Sequence, residues 1–301
     1  KPFCIPCKLD QYGMVVNKTM FDEAGIEVPT EWTYDEFLDV CAKLTHGEGT
    51  DKVYGVFWNS QQDMAQYAQF MIQQTLGGDN MYTADGTATN FTDDVWQKTI
   101  SLISTTMNEG YAPTHADSVT EKLSQESMFL GGKAAMTIGP WMVRNIKDTE
   151  TYPHDFVTAF APYPVVSEDQ RNYTQGGYGD LLCINPRSEH LDEAWEFAKW
   201  YLTEGGLYLA SGGRVPAANT YNADDVVNAF LSGAENLFDA DSTKAVLITP
   251  HDNYAAPSIT TKNAELTDII NEELESIYTG QKTVEEGLES AKTRGDAALA
   301  G

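Results

Sequence analysis

Residues with chemistry to offer gather first around Trp141. The run Leu130-Gly-Gly-Lys-Ala-Ala-Met-Thr-Ile-Gly-Pro-Trp-Met142 reads as a short buried strand that a Gly-Pro break ends just before the indole. A ring at such an exit is placed to stack on a flat apolar ligand face; the alternative is a Trp that only packs the core. Trp58 has the same form. It closes the apolar run Val53-Tyr-Gly-Val-Phe-Trp58 and opens directly into Asn59-Ser-Gln-Gln-Asp63, where it either meets a ligand or packs beneath that loop.

Catalytic patterns are hard to find. His46, His115, His154, His190 and His251 are scattered, with no His-x-x-x-His pair. Leu209-Ala-Ser-Gly-Gly213 lacks the first glycine of a nucleophile elbow. Gly177-Tyr-Gly-Asp180 lacks the third glycine of a dinucleotide loop and leads into a strand. Asp239-Ala-Asp241 lacks the glycine and distal Glu of a calcium loop. Carboxylates are abundant enough that a glycosidase pair stays open on counting alone. Cys4 and Cys7 form a C-x-x-C without the strand–helix context of a redox motif, and zinc would need a second pair of ligands. Cys41 and Cys183 read as small buried hydrophobes on a helix face and in an apolar strand. No catalytic residue, cofactor or metal is therefore expected.

The 301 residues carry 45 acidic and 19 basic side chains, a formal net charge of −26. Such a field repels nucleic acid and anionic membrane surfaces and favours a neutral or cationic small molecule. No apolar run approaches membrane-span length, and no signal peptide opens the sequence.

The elements that must position these residues alternate between strand and helix. Residues 11–17 read as a strand entering a helix that Asn17 caps and Gly25 stops. Thr33 and Glu36 form a capping box for a helix over 34–44, with Phe37, Leu38, Cys41 and Leu44 on one face. Further helices are predicted over 64–76, 93–109, 118–129, 191–202, 266–278 and 284–299, and short buried strands over 53–58 and 156–162. In the helix over 191–202, Ala194, Phe197, Ala198 and Tyr201 form the expected buried stripe. The segment 175–185 reads as a glycine-rich crossing into a strand. The class is α/β, with a mixed or parallel sheet flanked by helices.

The order of several runs resembles the bacterial extracellular sugar-binding proteins of ABC importers, the maltose-type family. These runs are Asn17-Lys-Thr-Met-Phe-Asp-Glu-Ala-Gly25 with Pro29-Thr-Glu-Trp-Thr33, the Trp141 segment, GGYGDLLCIN at 176–185, EAWEFAKWYLTEGG at 193–206, GGRVPA at 212–217, and the tail over 265–291. The resemblance covers about Phe3 to Leu299. It implies a two-lobed periplasmic-binding-protein type II fold, with one lobe largely complete and the other truncated. A main lobe would comprise 11–174 plus 245–301, the other lobe's returning segment 183–240, and hinge crossings 1–10, 175–182 and 241–244. In the family, about a hundred residues precede the point where the resemblance begins, one small domain's worth.

The resemblance further implies a receptor that closes on an oligosaccharide and hands it to the transmembrane subunits of an ABC permease. Such a receptor is lipid-anchored outside the cytoplasmic membrane, or periplasmic, and monomeric when complete. The alternatives are the same fold holding a polyamine or a phosphorylated compound, or a glycoside hydrolase. A sugar site needs aromatic faces for the ring C–H groups and planar polar groups for the hydroxyls. Trp141 matches the family's stacking aromatic, and Tyr67, counted back from Gly77-Gly78, matches another ligand contact. Asp63 and Gln66 are the polar companions on the same turns. Asp10 and Tyr12 flank the first crossing, Tyr178 and Asp180 lie in the second, and Arg214 reaches in from the second lobe, with a surface ion pair as its alternative.

Overall fold

A computed structural model describes residues 4–59, 64–253 and 257–301. Its strands are β1 (Ile5–Gln11), β2 (Met14–Asn17), β3 (Met136–Ile138), β4 (Thr158–Ala161) and β5 (Gly176–Leu182). β2 lies between β3 and β4 and is antiparallel to both. Parallel bridges from Tyr54 to Ala134, Phe57 to Thr137 and Phe238 to Thr158 widen this sheet on both edges. The expected mixed sheet is present, with an antiparallel centre.

The strand predicted over 53–58 survives as isolated bridges: those of Tyr54 and Phe57, and an antiparallel one between Val53 and His46. Its backbone alternates partners: Tyr54 and Phe57 donate to Lys133 and Met136, whereas Gly55 donates to the Thr45 hydroxyl and Val56 to Tyr111. A Cβ on Gly55 would stand 2.5 Å from the Cys41 carbonyl oxygen, so the chain runs hard against a helix there and a regular ladder has no room.

The helices are α1 (Lys18–Glu23), α2 (Tyr34–Leu44), α3 (Met64–Leu76), α4 (Asp94–Asn108), α5 (His115–Thr120), α6 (Val143–Lys147), α7 (Leu191–Thr203), α8 (Gly206–Ser211), α9 (Ala223–Leu231), α10 (Ala240–Thr243), α11 (Asn263–Tyr278) and α12 (Val284–Ala300). Both predicted caps of the first two hold: the Asn17 side chain accepts from Met20, and Thr33 and Glu36 exchange their capping-box bonds.

Strand alternation divides the interior in two. Met14 and Val16 of β2 face a large core with Phe37, Trp58, Met71, Trp96 and Ile270. Val15 of β2 and Phe160 of β4 face a second core with Phe129, Val143, Phe230, Phe238 and Leu247. Covered on both faces, β2 is a continuous buried run.

One predicted helix divides. The pattern over 118–129 becomes α5 and a separate π-helical turn over Glu126–Leu130. Lys122 sits between them with left-handed backbone, φ +54°. Ser124 and Ser127 then cap each other, each hydroxyl accepting from the other's backbone N–H at 3.0–3.1 Å. These local bonds compete with helix continuation and start a new turn.

β1 and β5 form a two-stranded antiparallel ribbon outside the main sheet, with Ile5 opposite Leu182 and Gln11 opposite Gly176. Its far end and α7 are thinly covered. Of the apolar stripe expected on α7, Ala198 is buried but Phe197 is 57% exposed, with Trp195 and Trp200 also open. Cys183 is likewise exposed rather than buried, because it lies at the uncovered end of the ribbon, just past Leu182. Cys41 is buried as expected.

Candidate functional site: a cleft beside the crossing ribbon

Where β3 ends, Gly139 takes a backbone conformation of φ +109°, and the Trp141 ring packs against it. A Cβ at Gly139 would stand 2.2 Å from the indole, so this glycine is required by both torsion and space. The indole N–H donates to Gln125 Oε1 at 3.3 Å. Gln125 in turn donates to the Ile138 carbonyl, which ties the π-helical segment to the end of β3. Trp141 is thus fixed at its back while 42% of it stays exposed.

That exposed face borders an open cleft of about 870 Å³. Aromatic rings form its floor. Tyr12 meets Trp141 edge-on at 6.3 Å, Phe70 lies 6.1 Å from Trp141, and Tyr67 meets Phe70 edge-on at 6.1 Å. Buried Tyr163 stacks beneath Phe70 at 5.9 Å. Amides make up most of the walls. Gln66, Gln69 and Gln73 recur at helical spacing on one side of α3 and all line the cleft. Asn59, Gln125 and Gln175 face them from elsewhere. Gln73 Oε1 and Gln175 Oε1 are buried acceptors with no hydrogen-bond partner among the described residues. Lys122 and Glu126 are the charged residues among the described lining, one of each sign.

A smaller depression of about 130 Å³ shares Tyr12 and Trp141 with the cleft and also takes in Asp10, Arg144 and Arg214. Lys8 bridges Asp10 at 3.1 Å and Asp180 at 3.5 Å, and Asp180 also pairs with Arg214. Burial raises the Asp10 pKa, and the neighbouring Lys8 ammonium only partly offsets this.

The structure therefore brings Trp141, Tyr12, Tyr67 and Gln66 to one cleft, with Asp10 and Arg214 beside it. It sends others elsewhere. Trp58 is buried, and its N–H bonds the Thr106 hydroxyl at 2.8 Å; the strand-like run before it turns its ring toward α2 and α4. Tyr178 is 68% exposed and borders a separate depression with Pro216 and Asn253, since the β5 register pairs it with Leu9 and not with Asp10. Asp180 does not line the cleft but joins Lys8 and Arg214 beside the smaller depression, and Asp63 lies outside the described residues. Sequence reasoning missed Phe70, Gln69 and Gln73, whose spacing was legible. It also missed the Lys122–Glu126 wall, for which Ser124 and Ser127 were the available signal.

The model of the bacterial extracellular solute-binding protein family matches residues 1–207 of the chain. The chain belongs to this family. No individually curated protein matches it. Among solved structures, a sugar transporter from Rhizobium etli in an open conformation superposes with a TM-score of 0.78 at 21% identity, over 98% of this chain and 72% of that one. An ABC substrate-binding protein from Listeria monocytogenes in complex with cycloalternan gives 0.73 at 18% identity, over 100% and 72%. A sugar transporter from Bacillus licheniformis in complex with stachyose gives 0.62 at 17%, over 99% and 74%. At these identities the likeness establishes the fold, the two-lobed architecture of periplasmic binding proteins. In this solute-binding protein the ribbon of β1 and β5 occupies the stretch read from the sequence as the first and second crossings.

Proposed function

We propose that this solute-binding protein captures a neutral oligosaccharide and presents it to the transmembrane subunits of an ABC importer. The observation that carries the reading is the half-open Trp141 ring, locked by Gly139 and Gln125 over a cleft walled by amides. Pyranose rings offer an apolar C–H face for such an indole, and their hydroxyls suit amide groups that both donate and accept. Two of the similar structures are complexes with cycloalternan and stachyose, which supports the same ligand class.

Among the described lining residues Lys122 and Glu126 offset each other, which speaks against a polyamine or a phosphorylated ligand. Hydrolysis would need a carboxyl pair about 5–10 Å apart across the scissile bond; among the described residues Glu126 is the carboxylate lining the cleft, and we read the protein as non-catalytic. Trp141, Tyr12, Tyr67 and Gln66 are the ligand contacts of this reading, with Asp10 and Arg214 as flanking groups. The lobe division at 11–174 plus 245–301 against 183–240, the extracellular lipid anchor and the monomeric state of the complete receptor belong to the same proposal. Calorimetry and tryptophan fluorescence against a panel of linear and cyclic oligosaccharides test it. Saturable binding to at least one is expected, and heat or quenching only with polyamines or sugar phosphates would replace it.

A further inference from the structure

The C-x-x-C of the N-terminal strand finds a partner that its spacing does not suggest. Cys7 lies in β1 and Cys4 immediately precedes it, so three residues of extended chain set their Cα atoms ~10 Å apart. A disulfide requires Cα atoms within ~7 Å, so the motif cannot close on itself while β1 is a strand. The antiparallel register instead runs Lys8 to Gly179, Pro6 to Leu181 and Ile5 to Leu182. Continued one residue past the end of each strand, that register sets Cys4 opposite Cys183. Directly opposed residues of an antiparallel pair have Cα atoms ~4.5–5.5 Å apart and share a face, which is disulfide geometry.

The side chains agree with the backbone. Desolvation, and then the neighbouring Cys4 thiol, hold the Cys183 pKa above the ordinary range, which places the two thiols close together. Cys7 is engaged otherwise: its thiol donates to the Asp180 carbonyl across the ribbon. Cys41 is buried in the main core, out of reach of reagents. Cys183 is exposed and Cys4 partly so.

We propose that Cys4 and Cys183 form a reversible cross-strand disulfide that staples the β1–β5 ribbon at its end remote from the cleft. Membership of an extracellular family places the chain where such bonds persist. The chemistry is exchange with a small-molecule disulfide. One cysteine thiolate attacks a sulfur of that disulfide and expels one small thiolate. The second cysteine, deprotonated, attacks the resulting mixed disulfide and expels the other. The protein pair is oxidised, the reagent is reduced to two thiols, and the two cysteine protons pass to solvent or to those products. With the Cys183 pKa raised, little thiolate is present near neutrality, and deprotonation makes the exchange faster as pH increases. A two-stranded ribbon is marginal by itself, so a covalent tie across the long intervening chain stabilises it.

The test incubates the native chain with oxidised glutathione at mildly alkaline pH, then counts free thiols and maps peptides. The expected result is loss of two thiols and a single crosslink between the Cys4 and Cys183 peptides. The crosslink persists in Cys7→Ser and is absent from Cys183→Ser. The melting midpoint of wild type and Cys7→Ser rises by on the order of a few degrees on oxidation and falls back with dithiothreitol, while Cys183→Ser does not respond. A Cys4–Cys7 crosslink, or glutathione adducts alone, would overturn the pairing. A Cys4–Cys183 crosslink without any rise in midpoint would overturn the stapling role.

Discussion

Trp141 and Trp58 are the same residue type at similar strand exits, yet one faces a cleft and the other a core. The difference lies in the groups that hold each ring. Gly139 gives Trp141 a bare backbone to lie on, and Gln125 holds its N–H from behind, so the outer face stays free. Trp58 finds its hydrogen bond inside, at Thr106, and is enclosed. Under the proposed function, Trp141→Ala weakens oligosaccharide affinity at least tenfold, ~1.4 kcal/mol, with the melting midpoint little changed; calorimetry on the folded variant showing unchanged affinity would return this ring to a packing role. Gly139→Ala is expected to reproduce most of that loss, because its Cβ displaces the indole while every ligand-facing side chain is retained. Trp58→Phe behaves in the opposite way. It removes a buried donor from Thr106, lowers stability by about 1–3 kcal/mol, and leaves affinity within twofold.

At the scale of elements, the break between α5 and the π-helical turn shapes the cleft. Had the helix continued through Lys122, Gln125 would not reach Ile138 and Trp141 from its present position. The final helical hairpin shows how an ionised group is kept inside. Glu273 of α11 is 3% exposed and accepts from Arg294 and Ser290 of α12 at 2.8 Å each, and from Lys282 of the connecting loop. Burial raises its pKa, but these hydrogen bonds outweigh it and hold the carboxyl below its ordinary range. A depressed folded pKa contributes stability above the ordinary carboxylate range, and that contribution is lost as pH falls through the folded value. The melting midpoint should therefore drop on acidification, and less steeply in Glu273→Gln; identical slopes for the two proteins would assign the acid sensitivity to other carboxylates. The Thr33–Glu36 box caps α2 in the same local manner, and Thr33→Ala should cost about 1 kcal/mol in denaturant unfolding.

For the whole molecule, the charge of −26 and the balanced charge of the described cleft lining make different statements about partners. Long-range attraction of cations is screened by salt, whereas stacking and amide hydrogen bonds are not. Oligosaccharide affinity should change less than about threefold between low and physiological ionic strength. A drop of tenfold or more would point to a polyamine held by the acidic surface. A second whole-molecule feature is the open aromatic face of α7, where Trp195, Phe197 and Trp200 are exposed and Phe197 stacks on Tyr201 at 5.9 Å. Contiguous exposed apolar surface of this kind promotes association. Light scattering on this 301-residue chain should show mass rising with concentration, and Phe197→Glu together with Trp200→Glu should suppress that rise.

Local signals in the sequence determined most of the elements. Asn17, Thr33 and Glu36 fixed helix starts because caps are formed by neighbours a few residues apart, and the apolar stripe of α2 and the glycines that close α3 and α4 are local in the same way. The Gly-Pro break before Trp141 and the polar Gln66 of α3 were likewise legible. Tertiary structure decided where the rings go. Whether Trp58 or Trp141 faces the cleft depends on Thr106 and Gln125, which lie outside each ring's own segment. The division of β2 between two cores depends on segments more than a hundred residues away. The partner of Cys4 is set by the register of β1 on β5, a pairing across some 170 residues that no spacing within the N-terminal motif encodes. Short-range bonds are written in adjacent residues; long-range register is written only in the sum of the packing that the folded chain achieves.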